Sequence, residues 1–599
     1  MESLKKREEI NSNDKWDLTK LFKSEEIVDE YTLKIREYVD TILGMKGHIL
    51  DNLSTLKEFL KVDEEFDRLE SKIYLYRYLK SDEDTSNMVN KGKLEELDGI
   101  LSEVSDKLSF IVPEFMEKDY QYVWDLIKDD DELRKYKLYF ERLYHLKNRT
   151  KSKEEEHIIT LASNAFGGGE DAFLSLDTTD ALFGKVNVNG ERIELTQYNY
   201  PTLIESDDRN IRKNTFKTFY KFYNNHKNTF ASLLKSNYDE LEFFRKIRKY
   251  DSALEMSLDK SFISEDAYHA LIRNIHKYNY INQDFQKLKA HVLNLDNDYH
   301  LYDTYVNLKN DNEKKYTFQE AKELVCKALS ALGSDYLKSF NSIIDNHAVD
   351  IYPSRGKHTG AYHFGVYDSE NYVLLNFDGK FNSVSTLAHE MGHAIHSKYS
   401  KEANPYIYAD YDIFIAEIAS TVNETLLSLY MIDNAQDKNE KIYYLTEFLN
   451  KVKATIFRQT MFSEFEELMS KRAQNHESMT ESDITSAYYK LNQEYFKDSV
   501  ILDKDIKYEC LRIPHFYSPF YVYKYATGMI SAIAIVNSIL NKKDGFPSKY
   551  IEFLSSGSSL NPLDILGIVD VDLASDETYD EVFKFIHSKY EELSELVGE

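Results

Sequence analysis

Helix-breaking residues are scarce in this chain, and this scarcity constrains the fold more than any other feature. The 599 residues include 20 glycines and 8 prolines, whereas these two types make up about 12 % of an average protein. Sandwiches, barrels and disordered arrays need many turn residues and are therefore disfavoured. We expect long helices, and the length of the chain predicts several domain-sized units.

Charge and cysteine content exclude some classes of partner and setting. The formal net charge is −28, while nucleic acids and anionic membranes attract basic surfaces. We therefore expect neither partner.

Two cysteines, Cys326 and Cys510, are few for a secreted protein of this size, which predicts reduced thiols and a cytoplasmic location. The charged segment Met1–Trp16 does not read as a signal peptide, and the uncharged span Tyr525–Asn541 is too short and polar for a membrane helix, so we expect a buried one.

Two domains are predicted from the turn signals. Residues 1–200 read as a helical N-terminal domain that ends in a Gly-rich break at Phe166–Gly169 and a hairpin. The hairpin prediction depends on Asn189-Gly190 between alternating apolar residues. Residues 201–599 form the second domain, where a predicted strand, Tyr372–Phe377, precedes the motif described next.

His389-Glu390-Met391-Gly392-His393 places two histidines four residues apart. On a helix such residues share one face, so both imidazoles can reach one metal ion. Zinc accepts imidazole ligands, and a catalytic zinc site keeps one position open for water. Glu390 is rotated about 100° from His389 on a helix and can stand beside that water as a general base.

A third ligand has to come from another part of the chain. Glu417, Ser420 and Glu424 share one face of a predicted helix over Ile413–Leu427. Burying two carboxylates is costly without a positive charge. This favours Glu417 as a ligand and Glu424 as the acceptor for a ligating imidazole N–H. A solvated acidic face is the alternative.

His396 is the other candidate ligand. It lies seven residues after His389 and three after His393, on the same helix face. Seven residues span about 10.5 Å along a helix, so three side chains converge poorly on one ion. We therefore expect His396 near the metal, with direct ligation as the less favoured alternative.

A cluster of polar aromatic residues lies far downstream. It consists of His515, Tyr517, Tyr521, Tyr523 and Tyr525. Amide hydrolysis needs a hydrogen-bond donor for the oxyanion of its tetrahedral intermediate, and a Tyr O–H or His N–H opposite the metal would serve. An aromatic seam in the core is the alternative.

At this point the chain resembles oligoendopeptidase F, in the thimet-oligopeptidase family of zinc metallopeptidases, over essentially its whole length. The segments that carry the resemblance are Trp16–Leu18, Gly356–Tyr362, Tyr372–Phe377, Thr386–His396, Ala416–Glu424 and His515–Gly528. One position departs from the pattern, because His358 stands where an arginine is expected.

The resemblance implies a mainly α fold: a two-lobed, zincin-type metallopeptidase with a small β-sheet beside the active-site helix and a deep central channel. It implies one Zn²⁺ per chain and Glu390 as general base. The metal ligands that it implies are His389, His393 and Glu417. The donors to substrate and transition state that it implies are His515 and one or both of Tyr517 and Tyr523.

The small β region is also expected to bind substrate. Because Tyr372–Phe377 has a strand pattern and precedes the metal helix, we expect it to pair with the peptide backbone as an edge strand. The predicted substrate-binding residues are Gly360, Tyr362, Tyr372 and Asn376.

These observations predict a zinc endopeptidase that cleaves internal bonds of short peptides, without an obligate protein partner. One alternative is a zinc carboxypeptidase, in which Lys524 or Arg512 would capture the free carboxylate of the substrate. Another is a helical binding protein with a structural zinc. Such a site needs a fourth protein ligand, and His396 is the candidate.

Overall fold

The structure is a computed structural model that describes residues 4–309, 314–542 and 545–598. Most of the described chain is helical and its strands are few and short, which confirms the predicted mainly α fold class. The first helices in the chain are α1 (Glu25–Gly44), α2 (Leu53–Glu83), α3 (Met88–Leu108), α4 (Ile111–Met116), α5 (Tyr120–Ile127), α6 (Lys137–His145), α7 (Lys153–Phe166) and α8 (Gly168–Leu174).

A β-hairpin follows these helices at the predicted place. Its antiparallel strands are β1 (Lys185–Val188) and β2 (Glu191–Glu194). Asn189 and Gly190 connect them with φ angles of 53° and 91°. A left-handed conformation at both turn positions matches the right-handed twist of the strands, so the Asn-Gly signal is confirmed.

The rest of the described chain is again mainly helical, with three short strands near its middle. Helices α9 (Tyr200–Ile204), α10 (Arg209–Arg248), α11 (Ala253–Asp259), α12 (Glu265–Val292), α13 (Phe318–Ala328) and α14 (Ser334–Asp345) come first. The strands are β3 (Val349–Asp350), β4 (Tyr362–Phe364) and β5 (Tyr372–Leu374). The helices after them are α15 (Phe381–Ala403), α16 (Tyr406–Ala409), α17 (Ile413–Asp433), α18 (Lys438–Val452), α19 (Arg458–Gln474), α20 (Glu481–Phe496), α21 (Tyr523–Leu540), α22 (Phe546–Leu554), α23 (Pro562–Ile568) and α24 (Asp576–Val597).

The chain divides into two compact units, each built from segments that are distant in the sequence. The first unit consists of Met1–Lys153, Glu313–Leu427 and Ser538–Val569. The second unit consists of Glu154–Asn312, Ser428–Asn537 and Asp570–Glu599. The His389–His393 motif and Glu417 belong to the first unit, and His515–Gly528 belongs to the second. The domain boundary at residue 200 stays a prediction.

Helix α21 covers all but the last residue of the uncharged span Tyr525–Asn541, for which a buried helix is expected. Met529, Ile530 and Ile533 on this helix are buried, which confirms that expectation. Across the described residues, we find no helix with the length and apolar character needed to cross a membrane. Cys326 and Cys510 are both free thiols.

The sheet of the first unit has the strand order β3–β5–β4. β5 runs parallel to β3 and antiparallel to β4, so both of its sides are paired. Pairing on the β3 side continues beyond the strand, since the amides of Leu375 and Phe377 donate to carbonyl oxygens there. The prediction that Tyr372–Phe377 is an edge strand for a peptide is therefore wrong, because this segment lies in the middle of the sheet.

The outer side of β4 is the edge that lies next to α15. Residues that face each other in an antiparallel ladder either exchange both backbone hydrogen bonds or neither. Val373 uses its amide on the β3 side, so its partner His363 directs its backbone groups away from β5. The His363 backbone lies close to Glu390 of α15 there and lowers the pKa of its carboxyl group.

Helices α15 and α17 approach each other closely at Gly392. A Cβ atom on this residue would lie 2.6 Å from Cα of Ser420 and 2.9 Å from the carbonyl oxygen of Ala419. In addition, the Asn423 side chain donates a hydrogen bond of 3.0 Å to the carbonyl oxygen of Ala388. Ala388 and Gly392 each precede one motif histidine, so this contact sets the distance between the histidines and α17.

We predict that Gly392→Ala destabilises the protein by about 1–3 kcal/mol, because the methyl group overpacks the helix contact. Gly99→Ala is the matched control. Gly99 lies within α3 and has nothing within 4 Å of the position of its Cβ, so this change should stabilise the helix by about 0.5–1 kcal/mol. Chemical denaturation measures both effects. Equal effects of the two substitutions would contradict the close approach at Gly392.

Candidate metal centre

Two imidazoles of α15 and one carboxylate of α17 meet in the first unit. The Nε2 atoms of His389 and His393 are 3.2 Å apart. The Oε2 atom of Glu417 lies 3.7 Å from the first and 3.8 Å from the second. Within the described part of the chain, these three half-buried residues form the group of His, Cys, Asp and Glu side chains that could hold a metal ion.

The geometry and chemistry of these donors fit zinc. Zinc–ligand distances of about 2.0–2.1 Å in a tetrahedral site place the ligand atoms about 3.3 Å apart, close to the separations observed here. Two imidazoles and one carboxylate leave a fourth position for water or substrate, as catalytic zinc sites do. The three residues can therefore hold the ion that the sequence predicts.

Glu424 lies behind His389, on the side away from the metal position. Its Oε2 atom is 3.4 Å from Nδ1 of His389, and its Oε1 atom accepts a hydrogen bond of 3.3 Å from Ser385. A carboxylate at Nδ1 orients the ring and leaves Nε2 for the metal. Burial lowers the pKa of His389, but the Glu424 carboxylate outweighs it and the net pKa is raised. This geometry agrees with the predicted role of Glu424.

Asn423 is a positioning residue that the sequence reasoning missed. Its side chain is fully buried. It donates to the carbonyl oxygen of Ala388 and accepts a hydrogen bond of 2.8 Å from the Tyr336 hydroxyl. Its position in the sequence could have indicated this role. Asn423 follows Ser420 by three residues and so lies on the same face of α17, which packs against Gly392.

Glu390 lies beside the metal group and is not a member of it. The residue is 7 % exposed, and burial raises the pKa of its carboxyl group to about 7 while the charge of His389 acts in the opposite direction. The nearby backbone of His363 also acts against the effect of burial. A carboxylate with a pKa near neutrality can accept and return a proton during one reaction cycle.

His396 packs against aromatic rings and not against the metal group. Its ring stacks on Tyr411 at a centroid distance of 3.7 Å and lies 5.9 Å from Phe553. Neither ring nitrogen has a hydrogen-bond partner among the described residues, and burial lowers the pKa of His396 to about 3. The group of three donors does not include this residue, so the structure does not favour direct ligation by His396.

Three of the predicted substrate-binding residues surround one loop. Gly360 is exposed and has a φ of 82°. The Asn376 side chain donates hydrogen bonds to the carbonyl oxygens of Gly360 and His358, at 2.7 and 3.0 Å. The Tyr362 hydroxyl donates to Asp82 at 2.7 Å. Asn376 therefore holds the loop, and His358, at which the chain departs from the resemblance, is exposed on it.

Tyr372, the fourth predicted substrate-binding residue, is buried in the first unit. Its exposed fraction is 0 %. The ring packs edge-on against Trp16 at 6.1 Å, and the hydroxyl donates to the carbonyl oxygen of Asp17. This corrects the prediction that Tyr372 contacts the substrate, because its side chain and its backbone are both used within the fold.

A cavity of about 640 Å³ lies in the first unit next to β4. His363 and Ser397 line it, and so does Ala416, which directly precedes Glu417. Ser397 lies four residues after His393 on α15, so it shares the helix face of the two motif histidines. Asp63 and Asp67 of α2 form another wall, and burial raises their pKa values to about 7 and about 6. The cavity therefore has an acidic lining.

In the second unit, His515 forms a cluster with two tyrosines. Its Nε2 atom is 3.3 Å from the Tyr525 hydroxyl. The Tyr521 ring lies 6.2 Å from the His515 ring and 5.5 Å from the Tyr525 ring. All three side chains are partly exposed. Burial and the charge of Arg458 lower the pKa of His515, so the neutral imidazole can donate one N–H at neutral pH.

Tyr517 and Tyr523 pack in the interior. Tyr523 is 1 % exposed and lies edge-on to Tyr268 at 5.4 Å. The Tyr517 ring is also buried and stacks on Phe173 at 4.3 Å. This corrects the prediction that these two tyrosines present donors to a substrate. No helical spacing could have shown this, because Tyr521 lies before α21 begins at Tyr523.

Two family models and several known proteins match this chain. A sequence model described as Peptidase family M3 matches residues 202–585, and one described as Oligopeptidase F matches residues 114–183. The crystal structure of oligoendopeptidase-F from Enterococcus faecium superposes with a TM-score of 0.75 at 28 % identity, covering 96 % of this chain and 99 % of that one.

Curated relatives match over nearly the whole length. Oligopeptidase PepF of Bacillus subtilis is 34 % identical over 99 % of this chain and 88 % of its own. An oligoendopeptidase F homolog of Borreliella burgdorferi is 34 % identical over 98 % of this chain and 99 % of its own. A matched family model over most of the chain and these full-length relatives identify it as a metallopeptidase of peptidase family M3.

Proposed function

We propose that this chain is a zinc-dependent endopeptidase that hydrolyses internal bonds of short oligopeptides. The observation that carries the proposal is the meeting of His389, His393 and Glu417, whose donor atoms are separated by 3.2 to 3.8 Å. The names of the relatives add the substrate class, since they are oligopeptidases and oligoendopeptidases. Short peptides are the proposed partners, in the cytoplasm and without an obligate protein partner.

The three residues would hold the metal in this proposal. Zinc supplies a Lewis acid there and lowers the pKa of a water molecule that it binds. Glu424 keeps the His389 ring in the orientation that directs Nε2 to the metal. Gly392 and Asn423 keep α17, and with it Glu417, at the required distance from α15.

Glu390 acts as the general base. Its carboxylate lies next to the ligands without joining them, so it can accept a proton from the attacking water. It then returns this proton to the leaving amine. The low exposure of Glu390 favours both steps, because burial raises its pKa toward neutrality and a proton acceptor works best when its pKa is near the working pH.

His515 and Tyr525 act as donors to the carbonyl oxygen on which negative charge develops. They form a hydrogen-bonded pair with partly exposed side chains, which suits groups that contact a substrate. A neutral imidazole N–H and a phenolic O–H both serve as oxyanion donors. Tyr525 takes the role that the sequence reasoning gave to Tyr517 and Tyr523.

The peptide is proposed to bind along the outer edge of β4. The backbone groups of His363 face this edge, and an extended peptide can add a strand to such an edge. The cavity beside β4 would receive side chains of the peptide, and Gly360 and Tyr362 lie at the start of the same segment. This arrangement replaces the predicted pairing with Tyr372–Phe377.

The candidate residues of the two alternative functions lie in different environments. The carboxypeptidase alternative needs Lys524 or Arg512 to capture a free carboxylate. Lys524 is partly exposed, 5.7 Å from the centre of the Tyr521 ring, and stays a candidate. The guanidinium of Arg512 bonds Glu509 at 3.0 Å and its Nε atom is buried, so Arg512 is not presented to a carboxylate. A structural zinc would need His396 as a fourth ligand, and that ring stacks on Tyr411 instead.

Peptides of graded length test the proposed function. We predict internal cuts in peptides of five to about thirty residues and no cleavage of a folded protein, as read by mass spectrometry. Glu390→Gln should bind zinc normally and lose activity by about 10²–10⁴-fold, because the proton acceptor is removed while the ligands remain. Stepwise loss of C-terminal residues would instead establish a carboxypeptidase, and an active Glu390→Gln enzyme would refute the general-base role.

Paired tyrosine variants test the oxyanion donors. We predict that Tyr525→Phe lowers kcat by about 10²–10³-fold, because it removes one donor to the developing charge. Tyr523→Phe should leave kcat within a few-fold of the wild type, because that side chain is 1 % exposed and packs in the interior. Steady-state kinetics on one peptide measures both. The reverse order of effects would restore Tyr523 as the donor.

A further inference from the structure

Arg458 presents a charged group beside the His515 cluster in the second unit. It is the first residue of α19 and directly follows a π-helical turn, Lys453–Phe457. Such turns are rare and frequent at functional sites. Its side chain is 32 % exposed and lies over the Phe462 ring at 4.3 Å. Phe462 packs edge-on to Phe516, the neighbour of His515 in sequence.

Glu509 fixes one side of this guanidinium and leaves the other side available. Among the described residues Arg458 donates one hydrogen bond, of 2.8 Å, to Oε1 of Glu509. Arg512 donates to the same oxygen, while the Tyr488 hydroxyl donates to Oε2. Burial raises the pKa of Glu509, but the charges of the two arginines outweigh it and hold this pKa at about 2. One carboxylate is thus shared by two cations.

The charge of Arg458 acts on two neighbouring titratable groups. Burial and the charge of Arg458 lower the pKa of Lys453 to about 8, and the same two causes lower that of His515. Two further carboxylates lie near this group, since Asp177 acts on Arg512 and Glu205 acts on Lys453. Arg458 itself is partly exposed and hydrogen-bonds one carboxylate, so its guanidinium keeps a face that can bind an anion.

We propose that Arg458 binds a carboxylate of the peptide substrate. The proposal rests on the proposed function, and it adds a residue that determines specificity. A guanidinium fixed on one side by Glu509 can offer two parallel N–H groups to a carboxylate. The C-terminal carboxylate of a short peptide and an Asp or Glu side chain both carry this group. The experiment below separates these sources.

Matched peptides test the proposal. The set consists of one cleavable peptide with a free C-terminal acid, the same peptide as the C-terminal amide, and a version in which its acidic side chains are replaced by amides. We expect wild-type kcat/KM to fall about 10- to 100-fold for the version that lacks the recognised carboxylate, as is typical of a charged hydrogen bond. Most of this change should be in KM, because the contact is remote from the reacting bond.

Variants assign the effect to Arg458. With Arg458→Gln we expect the ratio of kcat/KM between carboxylate and amide peptides to approach one, while Arg458→Lys should retain part of it. Arg248→Gln is the matched control, since Arg248 is 25 % exposed and also pairs with one carboxylate, Glu156. It should keep the wild-type ratio. Because each ratio compares two substrates of one enzyme sample, a loss of folded protein does not change it.

Two results would overturn the proposal. One is a wild-type enzyme that cleaves all three peptides internally with equal kcat/KM, and the other is a preference that survives in Arg458→Gln. Both leave the proposed endopeptidase function standing, because internal cleavage is still observed. The absence of cleavage of every peptide by the wild type would instead refute the proposed function and this inference with it.

Discussion

At Gly392 the backbones of α15 and α17 are so close that a methyl group would lie 2.6 Å from the next helix, and the metal site depends on this approach. His389 and His393 come from one helix and Glu417 from the other. Their donor atoms converge within 3.8 Å because Gly392 has no side chain and Asn423 ties the helices together. The His389–His393 motif supplies two of the three candidate ligands, and the helix contact brings the third.

The second constraint is electrostatic. Glu390, Glu417 and Glu424 lie around two imidazoles in a half-buried region, and burying carboxylates without positive charge is unfavourable. A divalent cation at the three donors would balance them. Burial and the neighbouring carboxylates also raise the pKa of Glu390, because they disfavour another negative charge. The same arrangement of carboxylates would therefore favour both a bound cation and the proposed base.

Local patterns predicted the parts of the site that depend on local geometry. Spacing within one helix determines which side chains share a face, as it does for the two histidines on α15 and for Glu417 and Glu424 on α17. The structure brings Glu417 to both imidazoles. Sheet order depends on which distant strands pair, and no spacing within Tyr372–Phe377 shows that both of its sides are occupied. Likewise, the burial of Tyr523 depends on Tyr268, which is far away in sequence.

Anomalous diffraction at the zinc edge from crystals of the zinc-loaded enzyme tests the central claim most directly. We predict one zinc ion per chain, at about 2.0–2.2 Å from Nε2 of His389, Nε2 of His393 and a carboxylate oxygen of Glu417. A water molecule should complete the coordination, within reach of Glu390. A zinc ion at another position, or one closed off by four protein ligands, would contradict the account, because neither arrangement leaves a place for the attacking water.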